Sequence, residues 1–132
     1  MQKETIHITG QNADLETVWK VAHGAGRVRV ELAPSAREKM QVSRSYIESR
    51  MTSGEAIYGV NTGFGAFSSV RISEAEIDQL QRNLIRSHSC GIGEPFTPEE
   101  TRAIMYLRAN ALANGHSGIR PLVVEKILEF LN

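Results

Sequence analysis

Two stretches of this sequence carry residue types that can do chemistry in places that regular secondary structure does not explain. The first is Tyr58-Gly59-Val60-Asn61-Thr62-Gly63-Phe64-Gly65, a phenol beside three glycines within positions 59–65. Glycine lets a backbone take φ > 0 and approach another group closely. A tyrosine on such a segment can move a proton from a loop hinged on its glycines. The plain alternative is a surface loop whose glycines only make turns. The spacing is neither G-x-G-x-x-G nor a loop ending in Gly-Lys-Ser/Thr, so a phosphate cradle is not expected.

The second stretch is Arg86-Ser87-His88-Ser89-Cys90-Gly91-Ile92-Gly93. His88 lies eleven residues past Ile77, about three helical turns, so it belongs to the same apolar stripe at its far end. An imidazole there can bind or shuttle a proton near neutral pH, or it can be a satisfied, partly buried histidine. Ser87, His88 and Cys90 are close in sequence, but adjacent residues point in different directions, so no hydrolase triad is expected. His7, His23 and His116 have no metal-ligand spacing with each other or with Cys90, and no metal site is expected. His7 and His23 read as surface residues, Trp19 as core and Cys90 as structural.

These stretches must be held by the elements around them. Thr5–Thr9 alternates apolar and polar residues and meets Gly10, a short strand. Asn12 or Asp14 can cap a helix carrying Leu15, Val18, Trp19 and Ala22, which His23-Gly24-Ala25-Gly26 ends. Residues 27–32 alternate again, and the two strands are expected to pair. Pro34, Ser35 and Glu38 predict a capping box that opens a helix through about Thr52, with Met40, Ser43, Ile47 and Met51 on one face and Gly54 closing it. Ser73 and Glu76 repeat the box before Ile77, Leu80, Leu84 and His88. Thr97-Pro98-Glu99-Glu100 is a third box, with proline at the first helical position. That helix is expected to bury Ile104, Leu107 and Ala111 and to stop at Asn114-Gly115. Pro121 starts a last helix with Val124, Ile127, Leu128 and Leu131. The chain is therefore mainly α, with five helices and a small two-stranded β appendage, and residues 1–132 read as a single domain.

Composition narrows the function classes. Fifteen Lys+Arg balance fifteen Asp+Glu, so there is no basic field to grip a phosphate backbone and no nucleic-acid partner is expected. A neutral chain is least opposed to self-association. One cysteine fits a reducing compartment. Neither a secretory leader nor a membrane span is expected, and the expected location is cytoplasmic.

The residues themselves go further. The Tyr58–Gly65 block, then Leu80-Gln81 with Asn83-Leu84, then Arg86–Gly93, then Arg108, Asn110, Leu112-Ala113, Gly115 and Ser117-Gly118, resemble the amino-terminal part of the aromatic amino acid ammonia-lyases. The resemblance runs from about Leu15 to Asn132. The Ser87-His88 pair is similar to that of the histidine-acting members, although some tyrosine ammonia-lyases and tyrosine 2,3-aminomutases resemble the chain at the same pair. The resemblance implies the helical N-terminal domain of the ammonia-lyase (fumarase/aspartase-like) fold. It also implies a homotetramer and the deamination of a small amino-acid substrate, L-histidine to trans-urocanate in the leading case.

The family uses a 4-methylidene-imidazol-5-one (MIO) group, made from an internal Ala-Ser-Gly, that turns ammonia into a leaving group. The resemblance places Tyr58 as the catalytic base at the β-proton, His88 as a substrate-binding residue, and Gly59, Gly63 and Gly65 as loop-shaping. A phenol with a reference pKa of about 10 needs positive potential nearby to act as a base at neutral pH.

No Ala-Ser-Gly occurs in these 132 residues. The nearest strings are Thr52-Ser53-Gly54 and His116-Ser117-Gly118. The expectation is therefore a portion of a lyase, inactive by itself, that lacks the cofactor-forming and central helical regions. The alternative outside the enzymes is a helical interaction module derived from such a lyase.

Overall fold

The computed structural model describes residues 3–53, 56–63, 65 and 72–132. Gly54, expected to close a helix, and Phe64 lie outside the described residues. The elements are β1 (Glu4–Ile8), α1 (Leu15–His23), β2 (Val28–Leu32), α2 (Pro34–Thr52), α3 (Glu74–His88), α4 (Pro98–Ala113) and α5 (Pro121–Leu131). All five expected helices and both strands are present. The chain forms two compact units, one joining Met1–Ile47 with Pro95–Asn132 and the other spanning Glu48–Glu94.

In the first unit β1 and β2 pair in parallel, with Ile6 opposite Val30. Parallel neighbours need a crossover between them, and α1 is that crossover. Alternation sends Ile8, Val28 and Val30 inward and leaves His7 and Arg29 exposed. These strand residues meet Val21 of α1, Met40 of α2, Ala109 of α4, and Val124 and Leu131 of α5 in one core. The Asn132 side-chain amide closes the β2 backbone at Val30. Its Oδ1 accepts the Val30 N–H at 2.7 Å and its Nδ2 donates to the Val30 carbonyl at 2.9 Å. That is the bonding a third strand would give an open edge.

The three expected capping boxes come out three ways. Thr97 and Glu100 form a complete box at the start of α4. Ser73 is the N-cap of α3, but its hydroxyl donates to the Glu76 carboxylate and caps no backbone N–H. Ser35 lies inside α2, which already begins at Pro34. The Ala33 carbonyl accepts from Ala36 and Arg37 there, because proline's fixed φ suits the first helical position. At α1 the cap is Asp14, whose carboxylate accepts the Thr17 N–H at 2.6 Å. That bond holds the Asp14 carboxyl below the usual range.

Two expectations about packing are corrected. Trp19 is not core: it is 62% exposed and stacks on His23 with ring centroids 4.5 Å apart. Val21 and Ala22 take the inward side of α1, and steps of about 100° per residue leave Trp19 beyond that stripe. On α4, Ile104 and Leu107 are 50% and 45% exposed. The buried side is Tyr106, Ala109, Leu112 and Ala113. Apolar residues fall on two sides of this helix, and the side with two alanines admits neighbouring backbone more closely.

Long-range polar contacts lock the unit. The Asn110 Oδ1 accepts the Gly10 N–H at 3.1 Å and its Nδ2 donates to the Gln11 carbonyl at 2.7 Å. Asn114 Nδ2 donates to the Gly10 carbonyl at 2.9 Å. Arg102 donates from Nε to the Val21 carbonyl at 2.9 Å and from Nη1 to the Leu131 carbonyl. One guanidinium thus serves the carboxyl-terminal turns of α1 and α5, where helix dipoles favour a cation.

Tyr106 supplies a pH test of this core. Burial, with a smaller contribution from the Asp14 charge, pushes its phenol above the ordinary tyrosine value. The folded state therefore holds that proton more tightly than the unfolded state, which releases it near pH 10. The associated stability is complete below about pH 10 and is lost as pH rises toward the folded value, by at most about 1.4 kcal/mol per pH unit. Tyr106→Phe is expected to flatten the fall in urea-unfolding stability above pH ~10, relative to the unsubstituted chain. Parallel curves for the two proteins would refute this.

In the second unit α3 carries Ile77, Leu80 and Leu84 half-buried, with His88 exposed at its last turn. Among the described residues no helix is long and apolar enough to cross a membrane.

Candidate functional site

Tyr58 and His88 both fall in the Glu48–Glu94 unit, on separate elements. Tyr58 stands at the start of a turn and is 64% exposed. The Ile57 carbonyl accepts from Val60 N–H at 3.0 Å and from Asn61 N–H at 3.2 Å, which folds the chain back immediately after the tyrosine. Gly59 has φ 72°, and a left-handed residue next to Tyr58 is possible at low strain only because it is glycine. Gly65 has φ 57°. Gly63 is buried, and its carbonyl accepts the Thr62 hydroxyl at 3.1 Å.

Two residues that the sequence reading did not single out shape this turn. Asn61 and Thr62 are only 5% and 1% exposed. Asn61 Oδ1 accepts the Ile57 N–H at 2.7 Å, and the Asn61 carbonyl accepts the Ile72 N–H at 3.1 Å. Thr62 Oγ1 accepts the Gly59 N–H at 3.3 Å. A signal existed in the sequence: Asn and Thr three and four residues after a turn tyrosine are types that bond nearby backbone.

His88 Nδ1 lies 2.9 Å from the Leu84 carbonyl and 2.9 Å from Ser87 Oγ. A carbonyl only accepts, so the Leu84 contact puts the proton on Nδ1 and leaves Nε2 as the acceptor in the neutral ring. Ser87 Oγ donates to Leu84 as well, at 2.9 Å. The pair at the helix end is thus a fixed ring with one nitrogen tied down. Cys90, just beyond, is exposed. Among the described residues no group of three or more His, Cys, Asp or Glu could hold a metal ion.

The described elements are thus mainly helical, with a turn at Tyr58 and a histidine at the end of α3. Residues 13–132 match the aromatic amino acid lyase family, and the chain belongs to that family. Histidine ammonia-lyase of Anaeromyxobacter dehalogenans is 48% identical over 97% of the chain, which spans 25% of that relative's length. Histidine ammonia-lyase from Trypanosoma cruzi superposes with a TM-score of 0.86 at 34% identity, over 96% of this chain and 24% of that one. Tyrosine aminomutase from Streptomyces globisporus superposes at 0.87 with 36% identity, over 97% and 24%. The chain therefore covers about a quarter of the relatives it matches.

Neither of the two strings nearest to Ala-Ser-Gly has that tripeptide's sequence. Forming the MIO ring from His116-Ser117-Gly118 would require the Gly118 nitrogen to attack the carbonyl two residues back. Its N–H instead donates to Ser43 Oγ at 3.1 Å, a part-buried bond, while His116 and Ser117 are exposed. In the other string the Ser53 hydroxyl donates to the Arg50 carbonyl at 2.8 Å at the end of α2.

Proposed function

We propose that this chain is the amino-terminal portion of an ammonia-lyase that converts L-histidine to trans-urocanate and ammonia, and that it supplies Tyr58 and His88 to a site completed by residues outside these 132. The observation that carries this reading is the 48% identity to a histidine ammonia-lyase over 97% of the chain. In this reading Tyr58 removes the β-proton. His88, with Nδ1 held by Leu84, offers Nε2 to the N–H of a substrate imidazole. Exposed apolar side chains support an assembly that covers them: Leu15 is 88% and Phe130 83% exposed.

The test follows urocanate absorbance with L-histidine. The chain alone is expected to give no turnover. Supplying the segment that corresponds to the remaining three quarters of the relatives is expected to restore it. Robust turnover by the chain alone would contradict the need for that segment, and none in the completed protein would contradict the lyase reading.

A second reading within the family, favoured by the likeness to tyrosine aminomutase, makes tyrosine the substrate, as a tyrosine ammonia-lyase or a 2,3-aminomutase. His88→Phe separates the two. Loss of one hydrogen bond of about 1–2 kcal/mol should lower the preference for histidine over phenylalanine roughly ten-fold. An unchanged kcat/KM ratio removes His88 from substrate recognition.

A further inference from the structure

We infer that Asn61 and Thr62 are positioning residues for Tyr58, acting through the backbone on either side of it. The two peptide N–H groups that flank Tyr58 in sequence, those of Ile57 and Gly59, are each accepted by a buried side-chain oxygen. Asn61 Oδ1 takes the first at 2.7 Å and Thr62 Oγ1 the second at 3.3 Å. The Ile57 carbonyl is held as well, by the N–H groups of Val60 and Asn61. The peptide units before and after Tyr58 are therefore both fixed, and with them the direction of its Cα–Cβ bond.

Among the described residues, the buried polar ones are Asn61 and Thr62, at 5% and 1% exposure. Burying an amide and a hydroxyl is unfavourable unless they are bonded. Their bonds go to the turn that carries the tyrosine and, through the Asn61 carbonyl, to Ile72 just before α3. A general base loses up to about a hundred-fold in rate when displaced by about 1 Å. Two buried acceptors on one turn are a direct way to prevent that displacement. Gly59, at φ 72°, lets the backbone return toward Thr62 so that the second bond can form.

The inference rests on the reading of Tyr58 as the base, and the two can fail separately. Turnover of Tyr58→Phe in the completed lyase tests the chemistry, whereas NMR on the present chain tests placement. Asn61→Leu and Thr62→Val remove the acceptors; valine keeps the threonine shape, so only the hydroxyl is lost. Asn61→Asp and Thr62→Ser keep an oxygen in place. Asn61→Leu is expected to speed amide exchange at Ile57, and Thr62→Val at Gly59, at least ten-fold. Both should move the Tyr58 ring signals toward those of free tyrosine. Asp and Ser at the same positions should restore protection and ring signals, with Trp19 and Tyr106 signals unchanged throughout. If Asn61→Leu does not fold, the Thr62 pair reads the same effect. Unchanged Tyr58 signals in Asn61→Leu and Thr62→Val, or conservative variants that move them as far as the drastic ones, would overturn the inference.

Discussion

Gly10→Ala is expected to destabilise the unit formed by Met1–Ile47 and Pro95–Asn132 by about 2–5 kcal/mol, a large fraction of a typical domain's stability. A Cβ at Gly10 would stand 2.3 Å from the Asn114 Cα and 2.3 Å from its nitrogen. Both are backbone atoms in the carboxyl-terminal turn of α4, so no side-chain rotation can relieve the overlap. Gly10 also has φ 77°. A non-glycine residue there costs roughly 1–3 kcal/mol, and overpacking adds roughly 1–3 more. The smaller unfolded-state entropy of alanine offsets about 0.4–1 kcal/mol.

Gly26→Ala and Gly118→Ala separate these contributions. Gly26 has φ 75° and nothing within 4 Å of an added Cβ, so it reports backbone strain alone. Gly118 has φ 64° and meets Ile47 Cγ1 at 2.5 Å, a side-chain atom that can move. Urea unfolding at constant m-value should order the losses Gly10, then Gly118, then Gly26. A Gly10 variant no less stable than the Gly26 variant would show that the close approach to Asn114 does not constrain the fold.

The contrast between those glycines also shows what could be read from sequence and what could not. Gly10 reads as the residue at which a strand over Thr5–Thr9 stops, and β1 ends at Ile8, two residues before it. Its second role, admitting α4 to within van der Waals contact, depends on residues a hundred positions away and leaves no local trace. Helix starts were legible where the cap is local: Thr97 and Glu100 satisfy each other within four residues. Ser35 has the same spacing but sits inside α2 because Pro34 begins the helix first.

The α4 stripe failed for a different reason. Ile104, Leu107 and Ala111 obey the helical period, and so do Tyr106, Ala109 and Ala113. Periodicity identifies a face without saying which partner it meets, and only the packing against α1 and α5 decides. Tyr58 and His88 stood out because glycines and a helix end isolate them. Asn61 and Thr62 did not, because their role lies in bonds to the Ile57 and Gly59 N–H groups, which only the folded turn brings within reach.

Tyr58→Phe carries the largest expected effect on function. In the full-length lyase proposed above, it should lower kcat by roughly 10²–10⁴-fold, the usual contribution of a positioned general acid–base group. At about 1.4 kcal/mol per factor of ten, that corresponds to about 3–5.5 kcal/mol of transition-state stabilisation. The ring remains and only the oxygen is lost, so KM should change far less than kcat, the pattern of an interaction made in the transition state and not in the ground state. The bonds that join Ile57, Gly59, Asn61 and Thr62 run between backbone groups and the Asn61 and Thr62 side chains, and all of those groups remain in the variant. Amide exchange at Ile57 and Gly59 in the variant is therefore the control that separates lost chemistry from lost structure. A variant with normal exchange and turnover within three-fold of the parent would remove Tyr58 from the reaction and leave its glycine-flanked turn as a structural feature of the unit. A variant with normal exchange and the full loss of kcat would place the proton transfer on that one oxygen.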